Sequence, residues 1–275
     1  MARLIHSLRT FPFKSMLVIL SVFMMIAVVL FAERSGIHYT EKNRQINYLD
    51  KNEVVTEKTA VKTLKKTCLV LRNSEDESSN QAWEQFQQIF NDMKIGTDVV
   101  DVQTVSSIPD YHNYETVVVL LSDISPLKEN LVNLCEWVSD GGNVLFAMTL
   151  QKTAYTSMIE QKIGIISSGY DNSVVDSIYF DSDFMLGGGE SYEITDAFDS
   201  AWSVQLSEKA KVYARIKNKN GQPLIWENSY GKGKFVVDNF GLYEKAVRGF
   251  YAASYSLLTD VGVYPVINGS VFYLD

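Results

Sequence analysis

Residues 115–148, ETVVVLLSDISPLKENLVNLCEWVSDGGNVLFAM, give the clearest indication of the fold in this chain. It starts with TVVVLL, a continuous apolar run of the kind found in buried strands. Pro126 is suited to the first turn of a helix, and Gly141 and Gly142 are suited to its end. NVLFAM, at 143–148, is a second apolar strand. This order predicts two parallel strands connected by a covering helix.

The same alternation of apolar strands and amphipathic helices continues on both sides of this unit. It predicts an α/β domain over residues 67–262, with a parallel sheet of flavodoxin-like or Rossmann-like architecture. The predicted strands are 67–72, 97–102, 116–122, 143–148 and 233–238, and the predicted helices are 79–94, 126–140 and 242–260.

The less regular middle of the domain, about residues 165–228, predicts a β-rich insertion. Within it, 212–218 and 223–228 read as a hairpin, because Asn220 and Gly221 between them are a favoured turn pair. Gly231 is expected to form a tight turn into the strand that follows.

An uncharged run, MLVILSVFMMIAVVLFA at 16–32, precedes the domain. About 17–25 apolar residues can cross a bilayer as a helix, so the run predicts a transmembrane anchor. A cleaved signal peptide is the alternative, although the small residues expected before a cleavage site are not both present. Residues 1–15 would form a cytoplasmic leader, and the polar residues 33–66 a juxtamembrane stalk.

The charge distribution favours export of the domain across the cytoplasmic membrane. The leader contains three of the 25 basic residues and none of the 33 acidic ones, so the remainder carries a net charge of −11. Basic residues flank the apolar run almost equally on its two sides, but the leader resembles a signal n-region, and a large domain after a first hydrophobic segment is usually exported. We therefore expect a single-pass protein with its domain outside the cytoplasm. Nucleic acid is excluded as a partner because its phosphates require a basic patch. A cationic partner is compatible with this charge, and solubility alone also accounts for it.

The two cysteines leave one question open. Export would permit a disulfide bond between Cys68 and Cys135. Both lie in apolar segments of different predicted elements, however, where free cysteines are usually separate core residues.

Catalytic motifs are missing from the domain. His112 is its one histidine, no G-x-S-x-G elbow is present, and the glycine-rich spots do not match a phosphate-binding loop. We therefore predict no catalytic residue, no metal site and no cofactor.

Acidic and aromatic residues interleave in the irregular middle of the domain. Such a mixture could contact sugars, and the candidate ligand surface comprises Asp181, Asp183, Tyr192 and Trp202. The alternatives are that the aromatic residues form the core of the insertion, that the aspartates lie on a solvated loop face, and that an unusual hydrolase uses Asp181 or Asp183.

Two stretches resemble class I glutamine amidotransferase-like domains: residues 115–148 and ENSYGKGKFVVDNFGLYEKAVRGFYAASYSLL at 227–258. The catalytic cysteine, histidine and glutamate of true amidotransferases have no match here, so that activity is not implied. The whole layout is similar to an uncharacterised bacterial membrane-anchored family. In that family this module precedes a polysaccharide deacetylase-like domain, and some members accompany Pel-type exopolysaccharide genes.

This resemblance implies that residues 263–275, which include the apolar run VFYLD, begin a following domain, and that Asp275 is inert in this chain. It implies a membrane-tethered, non-catalytic amidotransferase-like module for interaction or glycan handling in exopolysaccharide or biofilm biogenesis. The expected partners are an exopolysaccharide or the proteins that make it. The alternatives are the N-terminal fragment of a polysaccharide deacetylase-like enzyme and a scaffold subunit of a membrane complex.

Overall fold

The structure, a computed structural model, describes residues 19–26, 65–181, 184–185 and 188–259. The chain forms two units, 1–61 and 62–275. In the first unit, residues 19–26 are helical and expose apolar side chains. Within the part of the chain that the structure describes, none of the helices combines the length and hydropathy of a membrane span. The rest of the predicted anchor, the leader and nearly all of the stalk lie outside the described residues.

The second unit is a mixed α/β domain. Its strands are β1 (Lys66–Arg72), β2 (Gly96–Asp101), β3 (Thr116–Leu120), β4 (Asn143–Phe146), β5 (Ile165–Phe180), β6 (Ser191–Leu206), β7 (Lys211–Ile216), β8 (Pro223–Tyr230) and β9 (Gly233–Asp238). Its helices are α1 (Glu77–Met93), α2 (Asn130–Asp140), α3 (Ala154–Ile159) and α4 (Arg248–Ser256). Short 3₁₀ turns lie at Tyr111–Asn113, Ser125–Leu127 and Lys245–Val247.

The strands form one sheet in the order β2-β1-β3-β4-β9-β8-β7-β5-β6. The first five strands in this order, β2, β1, β3, β4 and β9, pair in parallel, which confirms the predicted parallel strands. Their apolar runs are continuous because both faces of this half are covered: α1 and α4 pack on one face and α2 on the other.

The β-rich segment continues this sheet instead of forming a layer of its own. β8 pairs with β9, β7 with β8, and β5 with both β7 and β6, in each case antiparallel. The sheet is therefore mixed: its parallel half is the predicted one, and the predicted β-rich insertion extends it with antiparallel strands.

The two turns of this segment have different geometries. Gly231 has φ +63°, and an added Cβ would clash with the Ser139 carbonyl, so the tight turn between β8 and β9 requires glycine. The predicted hairpin of β7 and β8 is confirmed, but its connection is longer than a two-residue turn. Its left-handed residue is Lys217, with φ 64°, rather than Asn220 or Gly221.

Two predicted helices are shorter than expected. The 3₁₀ turn that contains Pro126 is separate from α2, because Lys128 has a positive φ of 49°. The predicted helix 242–260 begins later, at the 3₁₀ turn before α4. Tyr243 and Tyr251 stack with their ring centroids 6.0 Å apart. Eight residues of continuous helix would separate the two positions by about 12 Å along the axis. The segment from Tyr243 to Tyr251 is therefore not one continuous helix.

Candidate functional site: a cleft at the carboxyl edge of the parallel strands

A cleft of about 490 Å³ opens beyond the carboxyl ends of the parallel strands. β1 lies between β2 and β3. The chain therefore places β2 on one side of β1 and then crosses over to place β3 on the other side. Ligands of open α/β sheets bind outside the carboxyl ends of the strands at such a switch point. The lining includes Ser122, Thr149, Lys152, Tyr170, Trp202 and Tyr243.

A buried serine, Ser79, fixes the start of α1 at this edge of the sheet. The Ser79 hydroxyl donates to the Leu120 carbonyl at 2.7 Å and accepts from the Asn73 N–H at 3.0 Å. The helix itself is capped by Asp76, whose carboxylate accepts from the Ser78 N–H at 2.9 Å. These bonds join the ends of β1 and β3 to the helix that carries Ser78 into the cleft.

Asn239, immediately after β9, holds the opposite wall. Its Oδ1 accepts from the Trp202 N–H at 2.9 Å, and its Nδ2 donates to the carbonyls of Trp202 and Pro223 at 2.9 and 3.0 Å. The side chain is buried and every polar atom of its amide is used. Asn239 therefore anchors β6 beside the end of β9 and positions Trp202 in the cleft.

An exposed tyrosine is held over the mouth of the cleft. Tyr170 is 85% exposed, and the Lys152 Nζ lies 4.8 Å from the centroid of its ring. The same Nζ donates to the carbonyl and to the hydroxyl of Ser168, each at 2.8 Å. The ammonium therefore covers one face of the ring through a cation–π contact and leaves the other face to solvent.

The lining offers neutral polar groups for most of its surface. Among the described residues that line the cleft, Lys152 is the charged one. The hydroxyl of Thr149 is buried and has no hydrogen-bond partner among the described residues. The backbone of Thr149 also hydrogen-bonds to the Tyr243 hydroxyl. Burial raises the pKa of Tyr243, and the charges of Asp238 and Asp76 raise it further, so this phenol stays protonated.

A buried acid lies behind the cleft at the end of β9. Asp238 is fully buried, and its Oδ1 accepts from the Ser254 hydroxyl at 2.6 Å. Its Oδ2 has no partner within the described ranges. Burial raises the pKa of Asp238 to about 8 and outweighs the opposing effect of the Ser254 hydrogen bond. The carboxyl group is therefore neutral at pH 7, and burial keeps it from direct contact with a ligand.

The three predicted ligand-surface residues that the structure describes, Trp202, Tyr192 and Asp181, do not lie together. Trp202 lines the cleft, but only 2% of it is exposed and its indole N–H donates to the Gly169 carbonyl. Tyr192 stacks on Phe180, with the ring centroids 5.0 Å apart. Asp181 is an exposed residue whose backbone N–H pairs with β7. The prediction for Asp183 falls outside the described residues.

The separation of these candidates follows from the register of the long hairpin. Trp202 pairs with Asn172, whereas Tyr192 pairs with Ile178. Six residues of extended chain span roughly 20 Å, so the two aromatic side chains belong to different ends of β5 and β6. Of the three that the structure describes, the cleft contains Trp202.

The cysteines are separate core thiols, which answers the open question of a bridge. Cys68 packs with the layer under α1 and α4, and Cys135 with the layer under α2, and both are free. Burial raises the pKa of Cys68 to about 12 and that of Cys135 to about 11. Neither thiol is ionised at pH 7, as a nucleophile would require. In the described ranges, no three or more His, Cys, Asp or Glu side chains group as metal ligands would.

Sequence reasoning missed Lys152, Tyr170, Asp238 and Asn239. One signal was available for three of them: Lys152, Asp238 and Asn239 end or follow predicted strands whose carboxyl ends share an edge. Tyr170 had no such signal, because SGYDNS reads as a turn, whereas the structure places it within β5.

Two regions of the chain, 22–204 and 189–275, match one family model, described as an uncharacterised protein conserved in bacteria, DUF2194. The chain belongs to this family. Membership of DUF2194 agrees with the expected uncharacterised bacterial family. None of the curated proteins compared with this DUF2194 chain matches it.

Solved structures share the fold of this DUF2194 member at low identity. A putative ThuA-like protein from Bacteroides uniformis is 12% identical, with a TM-score of 0.51 over 72% of this chain and 92% of its own. The β-galactosidase from Rahnella sp. R3 is 14% identical, with a TM-score of 0.50 over 71% of this chain and 32% of its own. This chain covers 30% of the β-galactosidase from Bacillus circulans sp. alkalophilus, at 14% identity and a TM-score of 0.48. At such identities the comparison establishes the fold alone.

Proposed function

We propose that this chain is a non-catalytic, membrane-tethered module that binds glycan outside the cytoplasm during exopolysaccharide or biofilm biogenesis. The observation that carries this proposal is the cleft with Tyr170 at its mouth. A sugar ring has an apolar face that packs on an aromatic ring, and hydroxyl groups that both donate and accept hydrogen bonds. The free face of Tyr170 and the neutral polar lining match these two requirements.

The geometry favours binding over catalysis. The hydrolase alternative relies on Asp181 and Asp183, and Asp181 is exposed near the Tyr192 end of β5, away from the cleft. Asp238 has the raised pKa of a general acid, but no ligand in the cleft can touch a fully buried carboxyl group. The polar groups that line the cleft suit recognition of a neutral ligand.

The helical residues 19–26 support a membrane tether, because their apolar side chains are exposed. Bilayer lipid would cover such side chains. Protease added to intact spheroplasts should digest the domain and spare cytoplasmic marker proteins. If the domain is protected until the membrane is permeabilised, the proposed orientation is reversed.

Tyr170→Ala should weaken glycan binding by about tenfold or more, because the variant lacks the stacking surface. The probe is the tetramer of β-1,4-linked N-acetylglucosamine, titrated calorimetrically into the detergent-solubilised full chain. Tyr170 is too exposed for its removal to unfold the domain.

Val174→Ala is the matched control, because Val174 is a second exposed residue of β5 but does not line the cleft. It should bind like the wild type. Equal affinities of the Tyr170 variant, the Val174 variant and the wild type would refute the role of the cleft.

A scaffold subunit is the second candidate, favoured by one observation. β6 is a 16-residue strand at the edge of the sheet that the described residues form. An open edge can pair with a strand of another protein. Co-purification of an exopolysaccharide synthase or deacetylase from detergent extract, abolished by proline substitutions in β6, would support this role.

A further inference from the structure

A second cleft, of about 470 Å³, lies beside the first part of β5. Its lining includes Met158 and Lys162 near α3, Ile166 of β5 and Tyr230 at the end of β8. Met158 and Ile166 are largely exposed, at 56% and 65%. This cleft therefore joins an apolar surface to an aromatic ring.

The two clefts contain the same pair of residue types. In the second, the Lys162 Nζ lies 5.9 Å from the centroid of the Tyr230 ring, as Lys152 lies over Tyr170 in the first. Lys211 also lies over a tyrosine ring, that of Tyr213, at 4.7 Å. Tyr213, however, is only 4% exposed and cannot offer its face to a ligand. Tyr170 is exposed and Tyr230 is partly exposed, with its ring also packed against Phe235 at 5.9 Å between centroids, so both can offer ring surface to a ligand.

A single hydrogen-bonded bridge separates the clefts. The Ser168 hydroxyl donates to Oε1 of Glu160 at 2.9 Å and accepts from the Lys152 Nζ at 2.8 Å. Lys152 lines the first cleft and Glu160 the second. Along β5, Ile166 lies on one side of Ser168 and Tyr170 on the other. The clefts therefore adjoin along one strand.

We propose that the two clefts form one extended site and that its ligand is a linear, uncharged polysaccharide bound across both. This inference rests on the proposed glycan binding and adds the length and charge of the ligand. β5 bulges between Ile165 and Asn172, so this stretch lies opposite the four steps of β6 from Leu206 to Trp202 and spans roughly 13 Å, enough for a short run of sugar rings. The charged residues that line the two clefts are Lys152, Glu160 and Lys162, a net charge of only +1, so the site is not built for a highly charged polymer.

The test compares short and long ligands on the full chain in detergent. The probes are the two-sugar and six-sugar oligomers of β-1,4-linked N-acetylglucosamine, titrated by calorimetry. The hexamer should bind about tenfold or more tightly than the dimer, because it reaches both tyrosines. Tyr230→Ala and Ile166→Ser should each remove this gain and bring the hexamer affinity close to that of the dimer. Lys211→Met, which alters the pair with the buried ring, should change neither affinity.

The outcomes separate this inference from the proposed function. Equal affinity for dimer and hexamer, or a hexamer affinity that both second-cleft variants leave unchanged, would overturn the extended site while glycan binding stands. Failure of the wild type to bind either oligomer would refute glycan binding for this class of sugar, and the extended site with it. Ile166 is exposed, so its variant answers the question even if Tyr230→Ala is less stable.

Discussion

Asp238→Asn should stabilise the protein by on the order of 4 kcal/mol at pH 7 and flatten its stability between about pH 4 and 8. Burial raises the pKa of Asp238 to about 8 in the folded chain, whereas an unfolded aspartate ionises near pH 4. In this window the folded state holds a proton that the unfolded state releases. The stability of the wild type therefore falls as the pH rises from about 4 to 8.

Asparagine has the shape of the protonated aspartate but does not ionise, so the variant keeps the local geometry and lacks the pH dependence. Its Oδ1 can still accept from Ser254, and its side chain stays neutral next to Tyr243 and Tyr251. Urea unfolding at several pH values between 4 and 8 measures the effect. Asp181→Asn, at an exposed position, should change the free energy of unfolding by less than about 0.5 kcal/mol. A wild type and an Asp238 variant with parallel pH profiles would contradict this account of the buried acid.

Asn239→Ala should destabilise the domain by about 3–5 kcal/mol, because it removes three hydrogen bonds in a buried region, and only the Trp202 carbonyl keeps a second side-chain donor, Gln222. The N–H and carbonyl of Trp202 and the carbonyl of Pro223 would lose their amide partner. The wall of the cleft formed by β6 should loosen as well, so glycan affinity should fall under conditions where the variant is still folded. Chemical denaturation and calorimetry measure the two effects.

Gln222→Ala is the matched control for Asn239. Gln222 also donates its amide to this strand, to the carbonyls of Trp202 and Val204, but its side chain is only partly buried. Water can replace these bonds, so the cost should be about 1 kcal/mol. If Asn239→Ala lowers the free energy of unfolding by no more than Gln222→Ala does, Asn239 does not anchor the wall of the cleft.

The parallel half of the fold was predictable because its strands are buried on both faces. Runs such as Val117–Leu120 are apolar at every position, and such a run predicts a buried strand even when the strands beside it are unknown. The long hairpin of β5 and β6 was not predictable in this way. Its register shifts several times between Ile165 and Ser177, so no regular period appears in the sequence.

The candidate site was less predictable than the fold. Interleaved acids and aromatics indicated the segment that contains Asp181 and Tyr192, but a contact surface depends on register, and here the register separates these two residues from Trp202. The cleft combines residues from the ends of parallel strands with residues of β5 and β6. The neighbours of each strand are set by the order of the sheet, which tertiary packing decides.

Hydrogen–deuterium exchange of the full chain, with and without the six-sugar N-acetylglucosamine oligomer, tests the central claim of a glycan-binding cleft most directly. Binding should slow exchange in peptides that contain residues 149–152, 166–172 and 241–243, and leave those of α2 unchanged. Protection confined to other surfaces, or no protection at saturating oligomer, would contradict the claim.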